Sequence, residues 1–158
     1  MSSFSPNNPS VVPPVKSSTV DAVEINLFNS KIVTFNVDGS IEIDGVFVER
    51  IVQVQSFVKG QFVTIGSPWI LSLQTSSTGQ ADGIVIDSNG LEFFVCMIDG
   101  SVIDLPSHGK GSVGVTLWGS GSGNTTTSRP NSGNVFQRVA RVKTVDEIVL
   151  KIEHPVTF

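Results

Sequence analysis

Two histidines are the residues of this sequence on which acid–base catalysis could depend. His108 lies in the string PSHGKGS, which is typical of a turn, and His154 precedes Pro155. A catalytic triad needs a nucleophile, a base and an orienting acid in mutual contact. Neither histidine is accompanied by a nucleophile motif. We therefore expect no catalytic residue and interpret the protein as a non-enzyme.

Three further patterns could indicate a bound ligand. The acidic residues that could form an oxygen cage for Ca²⁺ are Asp82, Asp87, Asp99 and Asp104. Their spacing does not match a calcium loop, and aspartate is common in turns. Residues 107–112 partly match a phosphate-binding loop, but the first glycine and the following helix are missing. Cys96 lies in the most apolar run, which favours a buried thiol. The sequence thus predicts no metal and no cofactor.

Charge is distributed unevenly along the chain. Residues 1–107 carry 4 basic and 11 acidic side chains, whereas residues 108–158 carry 6 and 3. The basic residues that could form a strip are Arg129, Arg138, Arg141 and Lys143. The net charge of −4 and the absence of tyrosine argue against nucleic-acid binding. Such a strip could meet an acidic surface on an identical or different subunit, or could be a solvated strand edge that prevents aggregation.

Composition favours strands over helices. Valine and isoleucine together number 37, whereas leucine and alanine number 10. Branching at Cβ suits a pleated sheet better than a helix. The longest apolar runs are too short to cross a bilayer, so no membrane is expected. The sequence predicts an all-β protein of about ten short antiparallel strands, as a β-sandwich or a barrel.

Turn pairs and alternation place the strands along the chain. Asp-Gly or Asn-Gly pairs begin at residues 38, 44, 82, 89 and 99, and such pairs favour tight turns. The run 91–98 is apolar on both faces, which predicts a central strand covered twice. Val113, Val115 and Leu117 alternate as one face of a half-buried strand. Glu49-Arg50 interrupts the alternation of its strand, which indicates a bulge or a bend between sheets.

Residues 1–20 are interpreted as an extended arm, and residues 21–158 as a single β domain. The arm contains four of the eight prolines and little that could pack into a core. An arm of this kind gains order by lying on another molecule. The candidate contact residues in it are Phe4, Pro6, Pro9, Pro13 and Pro14. Its start lacks the basic and apolar segments of a secretory signal, so we expect no export by the general pathway.

The Gly/Ser/Thr-rich segment 119–134 is predicted to be a long loop between two strands. Sixteen residues is long for a connection within one domain, and long loops are commonly mobile tips or functional segments. If the loop contacts a neighbour, its expected anchors are Trp118 and Arg129.

These features together predict a structural or assembly protein. We expect an accessory (decoration or cement) or minor subunit of a viral, phage-like particle, located in the virion or otherwise inside the cell. Its expected partners are protein subunits, such as a capsid protein or further copies of itself, in a homo-oligomer or a hetero-complex. The alternative is a carbohydrate- or peptide-binding β module that uses an exposed tryptophan, Trp69 or Trp118.

Overall fold

The computed structural model describes residues 20–25, 32–73, 79–131 and 135–157, with the backbone alone described for residues 20–25 and 32. Fifteen short strands lie in these ranges, and no α-helix does. None of the described residues forms a helix of the length and apolar character needed to span a membrane. In chain order the strands are β1 (Val20–Ile25), β2 (Ile32–Asn36), β3 (Ile41–Ile43), β4 (Val46–Val52), β5 (Phe62–Thr64), β6 (Ile70–Leu71), β7 (Gly83–Ser88), β8 (Glu92–Cys96), β9 (Val102–Asp104), β10 (Thr116–Gly121), β11 (Asn124–Thr126), β12 (Val135–Phe136), β13 (Arg138–Thr144), β14 (Glu147–Leu150) and β15 (Val156–Thr157).

The strands form two antiparallel sheets and a short ribbon. The large sheet has eight strands in the order β1-β2-β3-β4-β8-β7-β5-β6, and the small sheet has five in the order β11-β10-β13-β14-β9. Strands β12 and β15 pair with each other as the ribbon. Among the described strands neither sheet closes on itself, so the fold resembles a sandwich and not a barrel. The predicted all-β antiparallel class is confirmed.

The main core lies between the inner faces of the two sheets. The large sheet contributes buried side chains such as Phe62, Ile84 and Phe94, and the small sheet contributes Leu117 and Ile148. Each of these is at most 1% exposed. This continuous apolar layer holds the two sheets face to face, because both would otherwise expose an apolar surface to water.

A second apolar cluster covers the other face of the large sheet. The Phe93 ring centroid lies 5.2 Å from that of Phe57 and 5.7 Å from that of Trp69, both in edge-to-face geometry. Phe94 and Cys96 of the same strand, β8, point into the main core. Strand β8 is therefore covered on both faces, as its uninterrupted apolar run predicts. Cys96 is fully buried, as expected.

Strand β4 changes its pairing partner at the point where its alternation breaks. Its first three residues, Val46 to Val48, pair with β3, and the residues from Glu49 to Val52 pair with β8. Two consecutive exposed side chains, Glu49 and Arg50, mark the change. The predicted interruption at Glu49-Arg50 is thus the bend where the meander β2–β4 joins the rest of the large sheet.

Four of the five predicted turn pairs place their glycine in the left-handed region. The φ angles lie between +86° and +90° at Gly39, Gly45, Gly90 and Gly100. The fifth pair was wrongly assigned, because Gly83 is the buried first residue of β7. A Cβ at Gly83 would lie 2.6 Å from a methyl group of Val95, so close packing is the reason for glycine there.

Two sequence predictions for the second half of the domain need correction. Val113 is 66% exposed and precedes Gly114, whose φ is +89°, so the expected strand is a turn here and begins only at Thr116. The segment 119–134 is not one loop, because β10 continues to Gly121 and pairs with β11 in a hairpin. Serine, threonine and glycine form this narrow hairpin at the sheet edge, where little apolar character is required.

Candidate interaction site

An aromatic pair lies on the outer face of the small sheet. Leu117 of β10 points into the core, so its neighbour Trp118 points outward. The ring of Phe136, from the ribbon strand β12, lies against it with a centroid distance of 6.0 Å and an interplanar angle of 61°. Both rings are partly exposed. A partly exposed aromatic pair of this kind offers apolar contact area to a partner.

Two arginines extend this aromatic pair into a stack. The Arg129 guanidinium carbon lies 4.6 Å from the Phe136 ring centroid, and that of Arg138 lies 5.5 Å from the Trp118 centroid. Cation–π contacts of this kind contribute about 0.5–1 kcal/mol each at exposed sites. The four residues, which we call the aromatic–arginine stack, are thereby held on one surface.

Strand β13 directs its basic side chains outward through a β-bulge. Leu117 pairs with Ala140 but Trp118 pairs with Arg138, so Val139 is an extra residue in the ladder. Val139 and Ala140 are therefore both buried, while Arg138 faces the Trp118 ring. Without the bulge, alternation would place Arg138 on the core side whenever Ala140 is there.

Two more basic residues continue from the stack along the same strand. Arg141 and Lys143 are exposed, and the buried Val142 lies between them. We call Arg129, Arg138, Arg141 and Lys143 the basic strip. Glu153 accepts an ion pair from Arg138 at 3.5 Å, with both side chains nearly half exposed. The buried Nε of Arg138 has no hydrogen-bond partner among the described residues.

A buried glutamine fixes the backbone from which the stack projects. The Gln137 side chain accepts a hydrogen bond from the Ala81 amide and donates to the Ala81 carbonyl, both at 2.9 Å. It also donates to the Glu153 carbonyl at 2.9 Å. Its own carbonyl accepts from the Gly119 amide at 3.0 Å. Gln137 therefore ties the large sheet, the small sheet and the C-terminal segment together next to the stack.

The outer face of the large sheet has the opposite charge. Glu42 and Phe47 are a cross-strand pair of β3 and β4, and Glu49 lies on the same side two residues beyond Phe47. Phe47 is 47% exposed. The acidic residues of the meander and its turns are Asp38, Glu42, Asp44 and Glu49. Arg50, the one basic residue of β3 and β4, pairs with Glu92.

A hollow of about 500 Å³ adjoins these acidic residues. Its walls include Phe47, Glu49, Met97 and Ile98. We call Glu42, Phe47, Glu49 and this hollow the acidic face. The hollow combines apolar walls with a carboxylate at the rim, which is the complement of a long cationic side chain.

Hydrogen bonds within the protein occupy several other residues that the sequence singles out. His108 donates from Nε2 to the Thr144 carbonyl at 2.7 Å and accepts the Lys110 amide on Nδ1 at 2.9 Å. Asp82 accepts the Ile65 amide, and Asp99 accepts the Ile152 amide, each at 2.8 Å. The described residues contain no group of three or more His, Cys, Asp or Glu side chains arranged to hold a metal ion.

The structure unites part of the predicted site. It brings Trp118, Arg129 and Arg138 together, and it places Arg141 and Lys143 farther along β13. It adds Phe136 and Glu153, which the sequence reading missed; the proximity of an aromatic and an acidic residue to the basic strand was the only available signal. The arm residues Phe4, Pro6, Pro9, Pro13 and Pro14 lie outside the described residues.

Comparison with protein-family models, with curated proteins and with solved structures found no match for this chain. Functional argument therefore depends on the chain's own residues.

Proposed function

We propose that the protein is a non-enzymatic assembly subunit that joins neighbouring protein subunits through the outer faces of its two sheets. The observation that supports this proposal is the opposite charge of those faces. The basic strip and the aromatic–arginine stack lie on the small sheet, and Glu42 and Glu49 lie on the large sheet. Complementary charge determines which surfaces meet and in which register.

The proposed neighbour is a second copy of the chain, docked with its acidic face on the basic strip. Arg141 and Lys143 are the two exposed cations with no ion pair among the described residues, and the 500 Å³ hollow beside Glu49 is large enough for such a side chain. A contact between two different faces is heterologous, so repetition leads to a ring or an open array. Repeating shells and tubes are built from contacts of this type.

Among such assemblies we propose a viral, phage-like particle, with this protein as an accessory or minor subunit. The small all-β domain and its opposed charged faces are compatible with that role. The proline-rich arm remains a predicted second contact. The mass of the native complex, measured on material from the natural source, tests this proposal. A free 17 kDa monomer, expected from the 16.8 kDa chain, would contradict it.

The docking proposal is tested by sedimentation velocity of the full chain at low and high salt. We expect association at low salt that is lost at high salt, because exposed charges are screened within about 10 Å at 0.1 M salt. Arg141→Glu should abolish association. Lys59→Glu, which makes the same change in net charge outside the basic strip, is the matched control and should not. Equal effects of the two variants would contradict docking through the strip.

Zero-length crosslinking identifies the two faces directly. A carbodiimide couples a lysine amine to a carboxylate in contact with it. In a mixture of ¹⁴N- and ¹⁵N-labelled copies, we expect mixed-isotope crosslinks between Lys143 and Glu42 or Glu49. Crosslinks that are exclusively within one copy would contradict the proposed contact.

A peptide-binding role is the second candidate function, and a separate observation favours it. A groove of about 470 Å³ runs along the end of the large sheet, with Trp69, Ile70 and Leu73 in its walls. Ile70 belongs to the edge strand β6, and edge strands can accept an added strand. Trp69→Ala should remove peptide binding in a screen if this candidate holds. The same substitution should leave association through the basic strip intact.

A further inference from the structure

We propose that a cleft at one end of the sandwich binds a small organic phosphate, with the phosphate held by two lysines and the organic part against an apolar wall. The cleft has a volume of about 410 Å³. It lies between the turn 58–61, the loop 105–111 and the start of β11. It shares no residue with the basic strip or the acidic face.

The lining of the cleft contains positive charge and hydrogen-bond donors but no carboxylate. Lys59 and Lys110 come from opposite sides, and Gln61 and Asn124 add side-chain amides. Gln61 accepts the Val58 amide on Oε1, so its Nε2 is the group that can donate into the cleft. Two ammonium groups in a concave, partly apolar wall concentrate positive potential and favour an oxyanion.

Lys110 is poorly solvated and has no ion-pair partner among the described residues. Burial lowers the pKa of its ammonium group. A cation removed from water is destabilising unless a counter-charge accompanies it. A bound phosphate would supply that charge, which explains why a lysine stands where a neutral residue would be less costly.

The loop that carries Lys110 is held firmly in place. The Leu105 amide donates to the Asp146 carbonyl at 2.7 Å, and the Ser107 amide donates to the Asp146 carboxylate at 2.8 Å. His108 then joins the two sides, because its ring bonds to the Thr144 carbonyl and accepts the Lys110 amide. These contacts position the Lys110 backbone before any ligand arrives, which lowers the entropic cost of binding.

The base of the cleft is equally defined. Gly60 has a φ of +93°, and a Cβ built on it would lie 3.4 Å from a methyl group of Leu105. The turn 58–61 and the loop 105–111 thus approach closely, with Val58, Leu105 and Pro106 as an apolar wall beside the lysines. A volume of about 410 Å³ falls within the usual range for small-molecule sites, about 300–1,000 Å³, and exceeds what a bare phosphate ion needs.

The side chains, and not the backbone of residues 107–112, carry this inference. The partial match of those residues to a phosphate-binding loop does not predict the site, because no helix follows them. The lysine from the turn 58–61 is 51 positions away in sequence and meets Lys110 only in the folded protein.

The test is an NMR titration of the ¹⁵N-labelled full chain in phosphate-free buffer with phenyl phosphate, inorganic phosphate and phenol. We expect saturable shifts of the Lys110 and Asn124 amides with phenyl phosphate, weaker binding of inorganic phosphate and no binding of phenol. Equal affinity for phenyl phosphate and inorganic phosphate would overturn the organic-phosphate assignment. Absence of saturable shifts with either would overturn the site itself.

Two variants separate the cleft lysines from general charge. Lys110→Gln should weaken phenyl phosphate binding about tenfold, since it removes a charge-assisted contact. Lys151→Gln, which removes an exposed lysine outside the cleft, should leave the affinity unchanged. Equal weakening by both would overturn the proposal. Lys110→Arg, which keeps the charge, should retain binding if Lys110→Gln proves unstable, and its loss of binding would count against a charge-based site.

Discussion

Gln137 shows how one buried polar side chain can position an interaction surface. Its amide bonds to both backbone groups of Ala81 and to the Glu153 carbonyl, and it is 1% exposed. Gln137→Leu would leave these three backbone groups unsatisfied in the core. We expect a loss of about 3 kcal/mol in the free energy of unfolding, measured by urea denaturation.

Gln80→Leu is the control for this prediction. Gln80 is partly exposed and donates one longer hydrogen bond, 3.2 Å, to Asp82. Its replacement should cost less than about 1 kcal/mol. Similar losses for the two variants would contradict the bridging role of Gln137.

Lys110 makes protein stability depend on pH in a direction that can be checked. Its pKa in the folded protein lies below the ordinary value of 10.5, because burial disfavours the charged amine. Between those two pKa values the unfolded chain binds more protons, so the free energy of unfolding rises with pH. Lys110→Met should therefore be more stable than wild type at pH 7, and the difference should shrink as the pH approaches 10.5.

Urea denaturation at pH 7, 9 and 10.5 measures this difference. Lys151→Met, which replaces an exposed lysine, should shift stability little and without this trend. A Lys110→Met advantage that grows with pH would contradict a lowered pKa.

Part of the aromatic–arginine stack can be predicted from sequence, because Trp118 and Arg138 follow strand alternation. Its completion cannot. Phe136 reaches Trp118 through a ribbon that β12 forms with β15, and Arg138 faces outward only because Val139 is bulged. Both features depend on partners distant in the chain, which alternation along one strand does not reveal.

At the scale of elements, local turn chemistry predicts more than loop composition does. The meander β2–β4 follows from its Asp-Gly pairs, because positive φ is a local requirement. The β10–β11 hairpin was missed because its residues read as a flexible loop. Its tip is held by non-local bonds: the Phe62 amide donates to the Gly123 carbonyl, and the Gly123 amide donates to Ser72.

This docking of the hairpin tip predicts a large effect at Gly123. Its φ is +74°, and a Cβ there would lie 2.9 Å from the Phe62 carbonyl oxygen and 3.0 Å from a Leu71 methyl group. Gly123→Ala thus combines backbone strain with a clash. Gly39→Ala shares the positive φ but meets nothing within 4 Å. We expect thermal unfolding to show that Gly123→Ala costs about 2 kcal/mol more than Gly39→Ala. Equal costs would mean that the tip is not docked.

At the scale of the whole molecule, an uneven charge along the chain becomes an uneven charge in space. The described strands of the large sheet all lie before residue 97, and those of the small sheet all lie after residue 101. The acidic first part and the basic last part of the sequence therefore form different layers. Sequence alone reveals the asymmetry, but only the sheet order shows that the two charges lie on separate faces.

If these faces dock head to tail, two variants that each fail alone should complement each other. Arg141→Glu has a damaged basic strip and an intact acidic face, whereas Glu49→Arg has the reverse. Mixing them leaves one productive contact, between the acidic face of the first and the strip of the second. We expect each variant alone to sediment as a monomer and the mixture to form a one-to-one dimer that grows no further. A contact between identical faces would instead give no rescue, because every pair would contain a damaged surface. A mixture that stays monomeric, or that assembles as far as the wild type, would therefore contradict the head-to-tail arrangement.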